Sequence, residues 1–479
     1  MSETGEASSE ADEVSSEADE VSSEADEASS ELRAPLAPVS LVNGLGLGSF
    51  RFAPEKGRLD IAFPLVRRVR QRFAAPREPD VCAAVAREMR RLDGRLAPGA
   101  RVAVGLGSRG LAELPRLARA VVEELRVRGA RPFVVPAMGS HGGATAEGQL
   151  EVLAGYGVTP ETLGVEFDAD MEVELLGHVS LPDGGTTPVY FSRAALRADA
   201  VLAVNRVKPH TSFHGPVESG LSKMLAIGFG KHLGAAGLHR RGTEAFAVVV
   251  PAAARLILDK VPVLGGLATV ENAFEQVARV EFVPGPDIPA REPELLELSR
   301  RLMPRIPFRR PDVLVVDYLG KDISGDGMDP NVTGRHGNPR LADPERNPEK
   351  IVVLRLTERT HGNVCGLGLA DVTTRAVVDR IDLQATWTNV VTSLELDFGK
   401  IPLWMPDDRE AIALALSACP GLEPERARLV RVHSTLHLEE LWVSEALWRA
   451  EGVGRADLEP LGEPEPMAFT AAGRLADLP

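Results

Sequence analysis

The sequence is short of several features that would point to common functions. It has three cysteines, Cys82, Cys365 and Cys419, far apart and with no CxxC pair. Neither a disulfide framework nor a thiolate zinc site is expected, and all three read as buried thiols. No apolar run is long enough for a bilayer: AFAVVVPAAARLIL, at 245–258, is too short and is broken by Pro251 and Arg255, which excludes a membrane span. The N-terminus has no basic region followed by an apolar stretch, so it does not read as a secretory signal and a cytoplasmic location is expected. An excess of basic charge is missing too. The chain holds 54 Lys and Arg against 69 Asp and Glu, leaving no basic stripe to neutralise a phosphate backbone, so nucleic acid is not the expected partner.

The surplus acidity is local. Residues 1–32 hold 12 acidic residues and no Lys or Arg, in a near-repeat that reads ASSEADE, VSSEADE, VSSEADE, ASSE. Taking those 12 from the 69 acidic residues leaves 57 against 54 basic ones, a net charge of −3 in place of −15. So polar a segment buries too little apolar surface to offset the entropy of ordering, and 1–34 is expected to be a disordered acidic tail. The body from Pro35 to Ala450 is long enough for two medium-sized cores.

From Arg101 short β-branched runs alternate with amphipathic stretches. RVAVGLG (101–107) and PFVVPA (132–137) read as strands, 111–129 and 145–154 as helices, 198–207 as a buried strand and 243–260 as a helix. This order predicts a parallel sheet with helices on both faces. Proline-rich segments around 284–312 mark a hinge. Strands at 311–320, 350–357 and 426–435, with helices near 371–394 and 407–418, suggest a smaller α/β unit. The expected organisation is therefore two α/β domains with mainly parallel sheets, at 35–290 and 305–450, an active-site cleft between them and a flexible tail at 453–479.

Three segments carry candidate chemistry. GLGSRG (105–110) matches GxGxxG between a strand and a helix. The acid that should hold a ribose after the next strand is missing, since Glu123 and Glu124 fall inside the preceding helix, which weakens a dinucleotide reading. What survives is an anion held at a helix N-terminus with Arg109 beside it, or simply a tight turn. PAMGSHGGAT (136–145) sets His141 between glycines at the carboxyl end of a predicted parallel strand, where open α/β sheets place ligands. A surface histidine is the competing reading. The segment from Asn205 to His239 holds four of the ten histidines. His210 falls at a strand end, and Lys223 lies in apolar GLSKMLAIGFG, where desolvation favours a neutral, nucleophilic amine. His239 could return to the same cleft, while His214 and His232 read as surface positions. No HExxH spacing is present.

Taken in order, the His of PAMGSHGGAT, the His of NRVKPHTSF, the Lys of GLSKML and the LH at 238–239 resemble the N-terminal domain of the nickel-dependent lactate racemase family (LarA-type). The likeness runs over much of 100–245, and YLGKDISGDGMDPN (318–331) with GLGLADVTTR (366–375) resembles the C-terminal half. The resemblance implies a nickel-pincer mononucleotide, a pyridinium with thioamide and thiocarboxylate sulfurs, held covalently on Lys223. It further implies His239 as a nickel ligand, His141 and His210 as the acid/base pair, and Ser108 with Arg109 on the mononucleotide. The implied activity is inversion at C2 of a 2-hydroxy acid, lactate or a related hydroxy or sugar acid, and the implied partners include the enzymes that make the cofactor. One histidine takes the hydroxyl proton as hydride leaves C2, and the second serves the other face. The spacing from His210 to Lys223 is longer than in better-known lactate racemases, so His214 competes with His210. Lys321 is the expected substrate-side lysine, with Asn331 and Gln384 as candidate amides. Three alternatives stay open: a same-fold enzyme with another metal or reaction, a non-enzymatic nickel-binding module, and a nicotinamide-dependent dehydrogenase.

Overall fold

The structure, a computed structural model, describes residues 59–476 apart from Arg109 and Asp183, so the expected acidic tail lies outside the described residues. The first half runs β1 (Leu65–Gln71), α1 (Val81–Met89), β2 (Arg101–Leu106), α2 (Leu114–Val127), β3 (Arg131–Pro136) and α3 (Ala146–Gly155). A hairpin follows, β4 (Val173–Ser180) with β5 (Thr186–Ser192), then β6 (Ala200–Arg206), α4 (Lys231–His239), α5 (Phe246–Lys260), β7 (Val263–Glu271), β8 (Val277–Pro284) and α6 (Ile288–Leu302). Five of these strands form one sheet in the order β3-β2-β6-β7-β8, all parallel except β8.

Local sequence explains the elements. Helix α2 buries Leu117, Ala118, Val121, Val122 and Leu125 on one face, and Gly129, at φ +76°, turns the chain out after its end. Thr145 caps α3 by accepting from the Gly148 N–H, a contact worth about 1 kcal/mol. Strand β2 is covered on both faces, as a parallel strand between helix layers must be. Its Gly105 is obligatory, because a Cβ there would lie 2.2 Å from the Phe229 ring.

The remaining strands are β9 (Val313–Leu319), β10 (Lys350–Leu356), β11 (Val372–Thr374), β12 (Leu403–Met405), β13 (Leu429–Val432), β14 (Glu440–Ser444), β15 (Leu458–Pro460) and β16 (Glu465–Pro466), with helices α7 (Leu383–Ser393) and α8 (Asp408–Ser417). They join β1 in a nine-stranded sheet in the order β12-β11-β10-β9-β13-β14-β1-β15, with β16 also on β1. Pairing is parallel from β12 to β13 and antiparallel beyond. The mixed α/β class with mostly parallel sheets thus agrees with the alternation in the sequence. Both sheets lie in one compact unit, and among the described residues no helix is long and apolar enough to cross a membrane.

Three segments differ from the sequence expectation. LVRRVRQ, at the N-terminal end, becomes β1 in the distant sheet, where its arginines meet glutamates on its partner strands, Arg68 to Glu440 at 2.9 Å and Arg70 to Glu440 at 3.0 Å and to Glu459 at 3.9 Å. The stretch 371–394 opens as a strand, since Thr373 and Thr374 donate their hydroxyls to Val353 O and Leu354 O of β10. Asp382 then starts α7 by accepting from Ala385 N–H. Residues after Val453, expected to fray, supply β15 and β16, where β1 provides hydrogen bonds that local composition cannot announce.

Candidate functional site

Strands β3, β2 and β6 are parallel neighbours, so the loops after their carboxyl ends emerge along one edge. Those loops, with α4, line a cavity of about 670 Å³ whose walls include Ser108, His141, His210, Lys223 and His239. The second half of the chain contributes Gly325 and Asp326 after β9, Asn363 after β10, and Thr388 and Asn389 of α7. The cavity therefore lies between the two sheets' loop regions.

His141 follows a tight turn. Gly142 has φ +67°, and a Cβ there would press to 2.5 Å on the Gly148 backbone, so only glycine fits. His141 Nδ1 is hydrogen-bonded to Ser108 Oγ, which gives Ser108 a direct role toward the histidine. The backbone of the same loop is held from below by Gln149, whose Nε2 donates to Gly139 O at 3.0 Å and His141 O at 3.3 Å.

His210 is fixed by a buried carboxylate. Its N–H donates to Glu218 Oε2 at 2.6 Å, and Glu218 also accepts from the Gly215 N–H and is paired with Arg300 of α6. Ser212 N–H donates to His210 Nδ1 at 3.0 Å, so that nitrogen is the acceptor, while Nε2 meets Lys223 Nζ. Of the two histidines the sequence left in competition, His210 lines the cavity; His214 is exposed, with Nδ1 3.4 Å from Glu218. His232 is exposed at the cavity mouth.

Lys223 ends a short helix, Leu221–Lys223, that continues as a π-helical turn, Met224–Gly228, a distortion frequent at functional sites. The cap residue Gly220 has no side chain to offer the free N–H groups. Glu292 of α6 does so instead, accepting from the Ser222 N–H at 2.9 Å, and a Cβ on Gly220 would collide with its Oε1 at 1.9 Å. Burial pushes this carboxyl up to about 7, and Oε1 has no partner.

His239, at the end of α4, packs edge-on to Phe246 at 4.9 Å. Burial, with the Lys223 charge adding to it, pushes its imidazole down to about 4, and Nδ1 is buried without a hydrogen-bond partner. A neutral imidazole with an unused nitrogen is what a metal requires of a histidine. Among the described residues no three His, Cys, Asp or Glu side chains converge as a metal site. One neutral imidazole and one lysine on a common cavity nevertheless suit a group that brings its other metal donors with it, so the residues fit the pincer.

Other expected positions fall elsewhere. Arg109 lies outside the described residues. Lys321 donates to Gly325 O at 2.5 Å and does not line the cavity. Neither Asn331 nor Gln384 lines it; the Asn331 amide donates to His210 O at 3.1 Å and to Asp329. On this side the polar lining groups are Asp326, Asn363, Thr388, Asn389 and Ser393. The sequence reading also passed over Glu218, Glu292, Gln149 and Lys231, which are buried beneath the site. Lys231, in the apolar and glycine-rich IGFGKHLG, was the one of the four with a local signal.

Fold and site together define an α/β protein with a histidine- and lysine-lined cavity at the carboxyl ends of parallel strands. No family model and no curated protein matches the chain. Among solved structures, a protein from Thermotoga maritima is 16% identical, with 57% of this chain and 70% of that one covered and a TM-score of 0.43. The apoprotein of lactate racemase from Thermoanaerobacterium thermosaccharolyticum is 12% identical, with 76% and 83% covered and a TM-score of 0.44. Likenesses of this size leave function to be read from the cavity.

Proposed function

We propose that the chain is an isomerase that inverts the C2 centre of a 2-hydroxy acid, with His141 and His210 as its acid/base pair. One observation carries this reading: the two histidines come from loops after β3 and β6, the two neighbours of β2, and line one cavity with Lys223 and His239. Two strand spacings separate those loops by about 10 Å, room for a small acid between two imidazoles. Inversion needs a proton acceptor serving each face of the carbon, and histidine exchanges protons in either direction near neutral pH.

In this reading Lys223 would hold the nickel-pincer mononucleotide covalently, His239 would ligate its nickel, and Ser108 and Arg109 would bind the mononucleotide. When bound, that group supplies two-electron acceptor chemistry at C2, which a histidine cannot provide because the carboxylate beside C2 disfavours a carbanion. The chain's own residues do the rest. Each histidine in turn takes the hydroxyl proton at an imidazole nitrogen and returns it. Glu218 anchors the backbone of the His210 loop, and Ser108 engages His141. Lys208 of the cavity wall is the cation proposed for the substrate carboxylate; Lys321 is set aside because its Nζ turns to its own loop. Met224, Ile227 and Phe246 supply the apolar wall that excludes water. The reaction belongs in the cytoplasm, where the enzymes that make the cofactor are its partners.

The test is chiral chromatography of a panel of 2-hydroxy acids after incubation with chain co-produced with the cofactor-making enzymes. One acid is expected to racemise, and His141→Ala and His210→Ala should each slow that reaction by about 10²–10⁴-fold. Full activity of both variants, or no inversion of any acid by loaded protein, contradicts the reading.

A further inference from the structure

Among the described residues Lys231 is the most deeply buried cation of the five-stranded half, with 0% of its surface exposed. It opens α4 in a left-handed conformation, φ +52°, that side-chain-bearing residues rarely adopt. Its ammonium donates to Pro136 O at 2.7 Å and to Gln149 Oε1 at 3.2 Å, both neutral acceptors. Burial pushes it down to about 8, against the pull of Asp168 and Asp170. A buried charge with no carboxylate against it weakens a fold, and strained backbone with such a charge calls for a function.

Its connections indicate which. Pro136 closes β3, the strand that delivers His141, and Gln149 passes the interaction on by donating to Gly139 O and His141 O. We propose that Lys231 and Gln149 are a pair of positioning residues that fix the His141 loop in register with α4, the helix that ends in His239. The proposal rests on the acid/base role given to His141. Lys231 grips the fixed end of the loop and orients the Gln149 amide, so that its NH₂ faces two loop carbonyls. The His141 ring is thereby held against Ser108 rather than swinging on its flanking glycines.

Gln149→Glu tests this without emptying the core. The new carboxylate still accepts from Lys231 but has no N–H for Gly139 O or His141 O. In full-length protein with labelled histidines, the His141 imidazole resonances, assigned through His141→Gln, should move and broaden in Gln149→Glu and in Lys231→Met, while those of His361 stay in place. Loaded Gln149→Glu should lose about tenfold in kcat with KM within about twofold, the sign of misplacement rather than lost binding. His141 resonances that coincide with wild type in Gln149→Glu overturn the proposal, whatever Lys231→Met does. The magnetic resonance arm needs no substrate, so absence of racemisation in the wild type bears on the proposed reaction and not on this pair.

Discussion

The two sheets differ in how fully they pair their buried charges. In the nine-stranded half Asp317 meets Arg431 through two bonds of 2.8 Å, and Asp408 meets Arg355 at 2.7 Å. Burial still raises both carboxyls above their ordinary range, but each has its opposite charge in contact. In the five-stranded half Glu218 and Glu281 are likewise met by arginines, but Lys231, Glu292 and His239 are buried with no opposite charge in contact, and their protonation shifts accordingly. Matched pairs are what a scaffold needs. Groups forced toward neutrality around one cavity are what a site of proton transfer and ligation needs.

That contrast can be broken most forcefully in the scaffold. Asp317→Ala leaves the Arg431 guanidinium buried and uncompensated, and should lower stability by about 3–5 kcal/mol in denaturant unfolding; a loss under about 1 kcal/mol would mean the pair is no structural device.

The site half should show itself in pH dependence. Glu292 has a folded value of about 7, above the ordinary 4.5. Its contribution is complete below pH 4.5 and is lost as pH rises through 7. His239 runs the other way: folded about 4 against 6.5, its contribution is present above pH 6.5 and lost as pH falls through 4. Each full swing is about 3 kcal/mol at the usual conversion. The two swings oppose each other over nearly the same window, so between pH 4 and 7 the urea midpoint should rise more steeply with pH in Glu292→Gln and fall more steeply with pH in His239→Gln. Unchanged profiles would place these groups in water rather than in the core. The smallest effect belongs to exposed pairs: Glu244→Gln, which removes a 3.3 Å contact with exposed Arg340, should change stability by less than about 0.5 kcal/mol.

The same contrast explains what the sequence could convey. The alternation of β2, α2, β3 and α3 is written in local apolar periodicity and in punctuation such as Thr145 and Gly129, so that half of the fold was legible. Strand β1 was not, because its arginines find their glutamates some 370 residues away. In the site, His141, His210, Lys223 and His239 stood out as reactive types in glycine-rich or apolar company, and they do share a cavity. Their supports stayed hidden: Glu292 sits in a run of ordinary helical glutamates, and nothing in that run tells that it caps the Lys223 helix from 70 residues away. On the substrate side, Asn331 looked like a ligand-binding amide, but the fold spends it on His210 O.

The central claim, that Lys223 and His239 grip one group beside the two acid/base histidines, is tested most directly by the intact mass and nickel content of chain co-produced with the cofactor-making enzymes. The account predicts a covalent adduct that maps to Lys223 and vanishes in Lys223→Ala, with nickel lost but the adduct kept in His239→Ala. Protein without an adduct, or an adduct that survives Lys223→Ala, would contradict it.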